Sequence, residues 1–201
     1  RDQALALSGL LVEKVGGPSV HPYMPEAVWD ETSKYGNMRN YKPDAGESLY
    51  RRTLYTIWKR TAAPPSMLLF DSPNREICTV KRSRSNTPTQ ALALLNEVTY
   101  VEAARKLAEG MMMEGGSTPR ERVDWAFRRV VGRAPDAFER ESLTKRLMAR
   151  LEKMRGESEK ASQLVAVGDS KPSEKLRVEE LAAYTVTANV LLNLDETVTR
   201  P

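Results

Sequence analysis

The sequence of 201 residues is short of the side chains that most catalytic and metal sites use, because it contains one cysteine, Cys78, and one histidine, His21. A single cysteine excludes an internal disulfide framework. The two counts together exclude a zinc site of the usual Cys/His kind and a CxxCH haem attachment, and any Ser-His-Asp triad would have to use His21. The sequence therefore predicts neither a metal site nor a cofactor in this chain.

Long hydrophobic runs are also absent. No stretch approaches the roughly 18 apolar residues that a membrane-spanning helix needs, so we expect no membrane span in this piece. The hydrophobic fraction of 40% and the charged fraction of 29% are ordinary for a soluble globular protein. The chain begins at Arg1, without Met, in a stretch that already has a helical pattern. We therefore expect the carboxy-terminal piece of a longer protein, folded as a single domain over residues 1–201.

The net charge of +4 is unevenly distributed. Residues 1–47 carry a charge of −2, residues 48–90 carry +6, and in residues 91–201 the charges cancel. The positive excess therefore lies in one block, where basic residues alternate with tyrosine, tryptophan and phenylalanine. That mixture is found on some nucleic-acid-binding surfaces. The alternative, which we favour, is that the arginines pair with acids or with carbonyls freed by irregular backbone, because a strong nucleic-acid binder shows a larger excess over its whole domain.

The first 86 residues predict one helix followed by an irregular wrap. The apolar spacing of residues 3–15 predicts a helix that Gly16 and Gly17 end. Residues 18–47 are rich in proline, glycine and aromatic residues and show no sustained period. Residues 48–60 favour a short helix, with a strand as the open alternative. Residues 66–86 predict irregular chain with at most one short extended piece.

Helices are predicted from residue 87 onwards. Thr87 to Gln90, Thr118 to Glu121 and Asp136 to Glu139 have the residue types that begin a helix with a side-chain cap. The first of these helices should run to about residue 113, the second through Val131, and the third to about residue 153. Helices over 159–167 and 173–194 follow. The sequence thus predicts a mainly α fold, a helical bundle of about five to six helices with a long irregular segment rich in proline, aromatic residues and arginine. The bundle occupies residues 87–201, and one short strand pair is left open in the irregular segment.

Three residues are weak candidates for chemistry. Asp71 precedes Ser72-Pro73, a combination typical of turns, and a catalytic role would need a partner that the sequence does not identify. Cys78 lies between Ile77 and Thr79, which favours an inert buried thiol, although nearby basic residues could activate it. His21 lies in the aromatic segment and is more often a hydrogen-bonded structural group than a ligand or proton shuttle.

A binding surface is the other candidate site, since aromatic rings beside planar hydrogen-bonding groups suit sugar faces and protein hot spots alike. We expect a shared pocket lined by some of the aromatic and arginine residues of the irregular segment. These candidates are Trp29, Tyr41, Arg52, Trp58, Arg60, Arg75, Arg82 and Arg84.

One long run carries a family resemblance. It begins YRRTLYTIWKRT at residue 50 and continues PPSMLLFDSPNREICTVKRSRSNTPTQALALLNEVTYVEAARKLA, and the tail AAYTVTANVLLNLDETVTR adds to it. These motifs resemble the planctomycete-specific carboxy-terminal domain family of unknown function, often found in proteins with cytochrome-c-like domains. Relatives often have TNTPLQAL where this chain has SNTPTQAL, with Ser85 and Thr89. Thr89 weakens an apolar contact near the helix start without harming the cap.

The resemblance implies a setting rather than an activity. It implies an exported, periplasmic multidomain protein, linked to redox chemistry or to breakdown of complex carbohydrate, with any haem in an upstream portion. It brings no catalytic residues. We therefore expect a non-catalytic binding or docking module whose partner is an upstream domain, a glycan or another protein. The alternatives are part of an enzyme completed by the upstream region and, third, nucleic-acid binding through residues 51–84.

Overall fold

The computed structural model describes residues 1–25, 41–59, 63–73 and 77–199. Two compact units are distinguished within the chain. The helical unit comprises Arg1–Leu10 and Leu94–Pro201, and the irregular unit comprises Leu11–Ala93. The predicted change of character at residue 87 lies close to this division, but the first helix belongs with the carboxy-terminal helices. That the chain forms a single domain stays a prediction.

Helices dominate the described residues, which confirms the mainly α prediction. The α-helices are α1 Asp2–Ser8, α2 Pro65–Leu69, α3 Pro88–Asn96, α4 Val98–Glu114, α5 Pro119–Val131, α6 Ala137–Arg155, α7 Ser158–Val165, α8 Val178–Leu192 and α9 Asp195–Val198. Two short 3₁₀ helices occupy Gly46–Tyr50 and Thr53–Tyr55. In the described ranges, the β-structure includes two isolated parallel bridges, Val12 with Arg51 and Val20 with Thr56.

The core of the helical unit is built around α4 and α8, which pack against each other. Both helices are buried on nearly every side, and their buried residues include several alanines, among them Ala104, Ala108 and Ala183. Small side chains of this kind allow two helix backbones to approach, and Leu107 and Leu191 are buried on the same two helices. Helices that are buried on nearly every side belong at the centre of a fold. Accordingly, α1 and α5 pack on α4, and α5, α6 and α7 pack on α8.

The predicted helix caps are present. The Thr118 hydroxyl accepts from the Glu121 N–H at 3.3 Å, and the Glu121 carboxylate accepts from the Thr118 N–H at 2.9 Å. Asp136 and Glu139 form the same reciprocal pair at 2.7 and 2.8 Å. Each pair satisfies two N–H groups that the first turn of a helix leaves without partners. Gly132 ends α5 with φ of 87°, the left-handed conformation that favours glycine.

Three predicted helices are shorter than the sequence suggested, and the last of them, expected over 173–194, occupies Val178–Leu192. The helix expected over 3–15 ends at Ser8, because Gly9 adopts φ of 77° and turns the chain, and Val15 is 88% exposed. The helix expected to run from 87 to 113 is interrupted at Glu97, whose extended backbone separates α3 from α4. The Glu97 carboxylate accepts from the Thr99 hydroxyl at 2.9 Å, and burial raises its pKa. Both interruptions fall where apolar spacing continues on each side, so periodicity alone does not reveal them.

The two ambiguous stretches of the irregular unit also differ from prediction. Residues 48–60 contain parts of two 3₁₀ helices rather than one short α-helix. Helix α2 lies where irregular chain was predicted, and Pro65 is its first residue. Proline is favoured at that position, since its missing N–H would have no helical partner. The Pro64-Pro65 pair therefore stands at the beginning of a helix.

Candidate functional site

The turn after α2 is closed by Asp71 in a left-handed conformation. Its φ of 58° makes it the one non-glycine residue with positive φ in the described ranges. The Ser72 N–H donates to Met67 O at 2.9 Å and the Asp71 N–H donates to Leu68 O at 3.1 Å. These two bonds form a Schellman cap with aspartate in the position that glycine usually takes. Aspartate tolerates this conformation better than most residues, and the predicted turn role of Asp71 is thus present.

The Asp71 carboxylate then holds a segment fourteen residues further along the chain. Oδ2 accepts from the Ser85 N–H at 2.8 Å, and the Ser85 hydroxyl lies within 2.8–3.0 Å of both carboxylate oxygens. The hydrogen bonds from Ser85 hold the pKa of Asp71 below its usual range. Arg82 reinforces the contact by donating from Nε to Asp71 O at 3.0 Å and from Nη2 to Phe70 O at 2.6 Å. Asp71 is therefore an anchor for this segment.

Gln90 extends the same network into the first turn of α3. It is buried, and its Nε2 donates to Leu69 O at 2.7 Å and to the Ser85 hydroxyl at 2.8 Å. Its Oε1 accepts from the Thr87 N–H at 3.0 Å, and its own N–H donates to the Thr87 hydroxyl at 3.3 Å. This is the predicted capping box, and here it also ties α3 to the end of α2. The polar residues of the family motif are thus accounted for by folding.

The segment between these anchors is exposed along its whole length. We call residues 77–86 the exposed segment; its sequence is ICTVKRSRSN. Ile77 is 73% exposed and Val80 is fully exposed. In the part of the chain that the structure describes, the backbone groups of Val80, Lys81 and Ser83 make no hydrogen bond. An apolar and basic segment is therefore held from one side and presented outward on the other.

Cys78 lies in this segment, and its thiol is exposed. The expectation of a buried thiol, drawn from its apolar neighbours in sequence, was wrong. The neighbours Ile77 and Val80 are themselves exposed, so apolar sequence here does not mean burial.

The buried Arg51 organises the start of the irregular unit. Its guanidinium donates to Pro18 O at 3.1 Å, to Lys14 O at 3.0 Å and to Gly16 O. Its Cζ also lies 3.9 Å from the centre of the Tyr55 ring. Three carbonyls of an irregular loop are thus satisfied by one side chain. The favoured interpretation of the arginine-rich block is confirmed for Arg51 and Arg82, which both bind backbone carbonyls.

His21 has a carboxylate partner that the sequence did not suggest. Its Nδ1 lies 3.4 Å from Oδ1 of Asp44, and the two residues also exchange a hydrogen bond from the His21 N–H to Oδ2 at 2.8 Å. The Tyr41 ring lies 5.5 Å from the imidazole, and its hydroxyl donates to Pro22 O at 2.5 Å. No serine, threonine or cysteine side chain of the described residues forms a hydrogen bond with His21, so within that part of the chain the His21–Asp44 pair closes a loop.

The remaining predicted site residues are only partly placed. Arg52 and Arg84 are exposed and Trp58 is half-buried. Trp29, Arg60 and Arg75 lie outside the described residues. The structure brings Tyr41 to His21 and Arg82 to Asp71, and the shared aromatic and arginine pocket stays a prediction.

Sequence reasoning missed the most deeply buried charges, which lie on α4 in the helical unit. Glu102 and Arg105 are fully buried and Glu109 is nearly so. Arg105 donates to Glu109 Oε1 at 3.0 Å and to the Ser170 hydroxyl at 2.6 Å. The Ser170 hydroxyl in turn lies 2.6 Å from Glu102 Oε1. The spacing of Glu102, Arg105 and Glu109 is typical of ion pairs on an exposed helix face. Their burial depends on Ser170, a partner that is distant in sequence.

The described residues were also searched for groups of metal-ligating side chains and for membrane-spanning helices. Within the described ranges, no three His, Cys, Asp or Glu side chains are grouped so that they could hold a metal ion. Among the described helices, none combines the length and hydrophobicity that crossing a membrane requires.

Comparison with known families decides the membership question. A family model described as a protein of unknown function (DUF1553), PSD1, matches residues 1–147. The chain belongs to this family. Comparison of the DUF1553 chain with curated proteins and with solved structures finds no match. The resemblance drawn from the motif is thereby confirmed at the level of a domain family of unknown function.

Proposed function

We propose that this DUF1553 chain is a non-catalytic docking module whose exposed segment, residues 77–86, binds an acidic surface of a partner protein. The observation that carries the proposal is an apolar and basic segment that is anchored on one side and solvent-exposed on the other. Asp71, Ser85 and Gln90 hold it through hydrogen bonds. Pre-ordering of a binding segment lowers the entropy lost on association, so such anchoring favours docking.

Charge complementarity gives the chemistry of the partner. The segment carries Lys81, Arg82 and Arg84, and no acidic residue occurs from Ile77 to Asn96. The exposed side chains of Ile77 and Val80 lie among these basic groups. An apolar contact surrounded by charges of one sign is suited to a protein surface of the opposite sign. We commit to an acidic surface upstream in the longer protein that the family resemblance implies.

The unpaired backbone of the segment adds a second reason. The N–H and C=O groups of Val80 and Lys81 make no hydrogen bond within the described part of the chain. A partner could pair with them without breaking any contact of the free chain. Backbone pairing of this kind supplies affinity in many peptide-recognition complexes.

Cys78 provides the handle for the test, because it is exposed and is the one cysteine of the 201 residues. Full-length protein in which every other cysteine outside CxxCH haem motifs has been replaced would be labelled at Cys78 with a benzophenone maleimide, irradiated and mapped by mass spectrometry. We expect cross-links to an acidic stretch upstream of residue 1. Val80→Asp with Lys81→Glu should abolish them, whereas Val15→Asp, which changes another highly exposed valine, should not.

Two outcomes would overturn the proposal. Cross-links confined to residues 1–201, or insensitive to the Val80 and Lys81 changes, would show that the segment has no such partner. Tight binding of a labelled DNA or RNA oligonucleotide that falls steeply with added salt and is lost with Lys81→Glu would assign the segment to nucleic acid.

The setting of the module is part of the proposal. We propose an exported multidomain protein with a cytochrome-c-like domain upstream, linked to redox chemistry or to breakdown of complex carbohydrate, as the family resemblance implies. Reading the full-length gene for a signal peptide and for CxxCH motifs tests this directly.

A further inference from the structure

A groove runs along the outer face of α5 in the helical unit. Its volume is about 650 Å³, and five residues of α5 line it: Glu121, Asp124, Trp125, Arg128 and Arg129. Their spacing of i, i+3, i+4, i+7 and i+8 puts all five on one face of the helix. Eight residue steps of a helix span about 12 Å, so this lining is as long as two to three sugar rings or a short peptide.

The indole at the centre of the groove is held in place. Trp125 is half-buried, and its benzo edge lies against Gly110, where a Cβ would come within 2.9 Å of Cη2. Glycine at position 110 therefore leaves the space that the ring occupies. The Cζ of Arg129 lies 5.2 Å from the ring centre, and Arg129 Nε donates to Leu7 O at 2.7 Å. The ring and one guanidinium are thus positioned before any ligand binds.

The two carboxylates of the groove already have partners. Glu121 accepts from the N–H groups of Ser117 and Thr118, and these hydrogen bonds hold its pKa below the usual range. Asp124 accepts from Arg140 Nε at 2.7 Å. Both carboxylates are therefore engaged within the protein, and we do not expect either of them to be the main group that binds a ligand.

The two arginines retain most of their hydrogen-bonding capacity. Arg128 is exposed, and its guanidinium makes no hydrogen bond or ion pair within the described residues. Arg129 uses only Nε, which leaves its two η-nitrogens available in the described part of the chain. Guanidinium groups have a fixed fork of donors that matches a carboxylate. The available N–H donors of the groove are therefore suited to an anionic ligand.

We propose that the α5 groove binds a carboxylate-bearing sugar, with the sugar ring against Trp125 and the carboxylate on Arg128 and Arg129. The apolar part of the five-residue lining is a single aromatic ring, and the other four side chains are planar and charged. Sugar rings pair an apolar C–H face with hydroxyls that planar groups recognise. An aliphatic peptide side chain would instead call for an aliphatic pocket, which these five residues do not provide. The site lies on a different unit from the exposed segment and does not depend on it.

The test is calorimetric titration of the 201-residue chain with a trimeric oligogalacturonate and with its methyl ester, which keeps the rings and removes the charge. We expect binding of the acid form and at least tenfold weaker binding of the ester. Arg128→Ala and Trp125→Phe should each weaken binding of the acid at least tenfold. Arg120→Ala should leave it unchanged, because Arg120 is exposed on the same helix but does not line the groove.

Each contrary result is decisive. Equal affinity for the acid and the ester would show that the carboxylate is not recognised. A loss of affinity in Arg120→Ala as large as that in Arg128→Ala would show that only the net charge of the helix matters. Binding of hexaglutamate as tight as that of the oligogalacturonate would reassign the groove to acidic peptides. Absence of binding by the wild-type chain would overturn the proposal. The Lys81→Glu variant should bind normally, so failure here is distinguishable from failure of the docking proposal.

Discussion

Glu102 Oε1 accepts two hydrogen bonds from Ser170, one from the backbone N–H at 2.7 Å and one involving the hydroxyl at 2.6 Å. The loop between α7 and α8 is thereby fixed to the buried face of α4. The contact also dictates the residue at position 168, where a Cβ would stand 2.2 Å from Cδ of Glu102. A carboxylate on one helix thus requires a glycine in a loop that comes 66 residues later.

Gly168→Ala should be clearly more destabilising than Gly132→Ala. Both glycines have φ near 90°, so alanine at either position costs about 1 kcal/mol in backbone strain. An added Cβ at Gly132 meets nothing within 4 Å, whereas at Gly168 it collides with Glu102. Overpacking of this kind adds about 1–3 kcal/mol. Urea denaturation of the two variants measures the difference, and equal losses would show that the loop moves away without cost.

Arg105→Met should reduce the free energy of unfolding by about 3–5 kcal/mol, the usual cost of removing one partner from a buried ion pair. The change leaves the buried Glu102 and Glu109 carboxylates without their shared cation, although Lys106 still contacts Glu109 at 2.7 Å. Adding Glu102→Gln should recover part of the loss, because glutamine keeps an acceptor for Ser170 and removes one charge. No recovery in the double variant, measured by the same denaturation, would mean that packing around Arg105 outweighs its charge.

Arg51→Lys should loosen the loop that contains Lys14, Gly16 and Pro18. Lysine keeps the charge but cannot reach three carbonyls and cover the Tyr55 ring as the guanidinium does. Loss of hydrogen bonds from a charged group costs about 1.5–3 kcal/mol. Hydrogen exchange at the Gly16 and Val20 amides should become faster, while Arg52→Lys at the exposed neighbouring position leaves it unchanged. Unaltered hydrogen exchange in Arg51→Lys would show that the Arg51 guanidinium does not hold this loop in place.

Asp71→Gly separates the two roles of this residue. Glycine suits φ of 58° at least as well as aspartate but removes the acceptor for Ser85. We expect the α2 cap to persist and the exposed segment to be released, so that trypsin cleaves after Lys81 and Arg82 several times faster. Val15→Asp serves as a control with an unaltered anchor. A cleavage rate equal to that of the wild type would show that the carboxylate is not what holds the segment.

Acid should destabilise the helical unit partly through Glu139. Hydrogen bonds from Arg133 and from the Asp136 N–H lower the pKa of Glu139 to about 2, below the value of about 4.3 for an unfolded chain. A depressed folded pKa means that this stabilisation is present above about pH 4.3 and is lost as the pH falls towards 2. Glu139→Gln should flatten the stability profile over that window, whereas Glu141→Gln at an exposed position should not. A slope unchanged by Glu139→Gln would contradict the assignment.

The features that sequence predicts here are the local ones. Thr118 and Glu121 are three residues apart, and their cap depends on nothing beyond that turn. The anchor between Asp71 and Ser85 spans fourteen positions, and the contact between Arg105 and Ser170 spans 65. Pairings at such separations depend on how the chain folds back, which neither spacing nor composition encodes. For the same reason, Cys78 appeared buried from its neighbours although the segment around it is exposed.

The helical unit is assembled from two stretches of sequence that are separated by the whole irregular unit, and α1 packs on α4. A ribosome therefore releases α1 well before its binding site exists. More than eighty residues separate the two stretches, which at about 5–20 residues per second corresponds to a delay of roughly 4–17 seconds. During that interval the side chain of Leu5, which is fully buried in the folded protein, lacks the helix against which α1 packs. Nascent chains stalled before α4 should accordingly bind chaperones through this first helix.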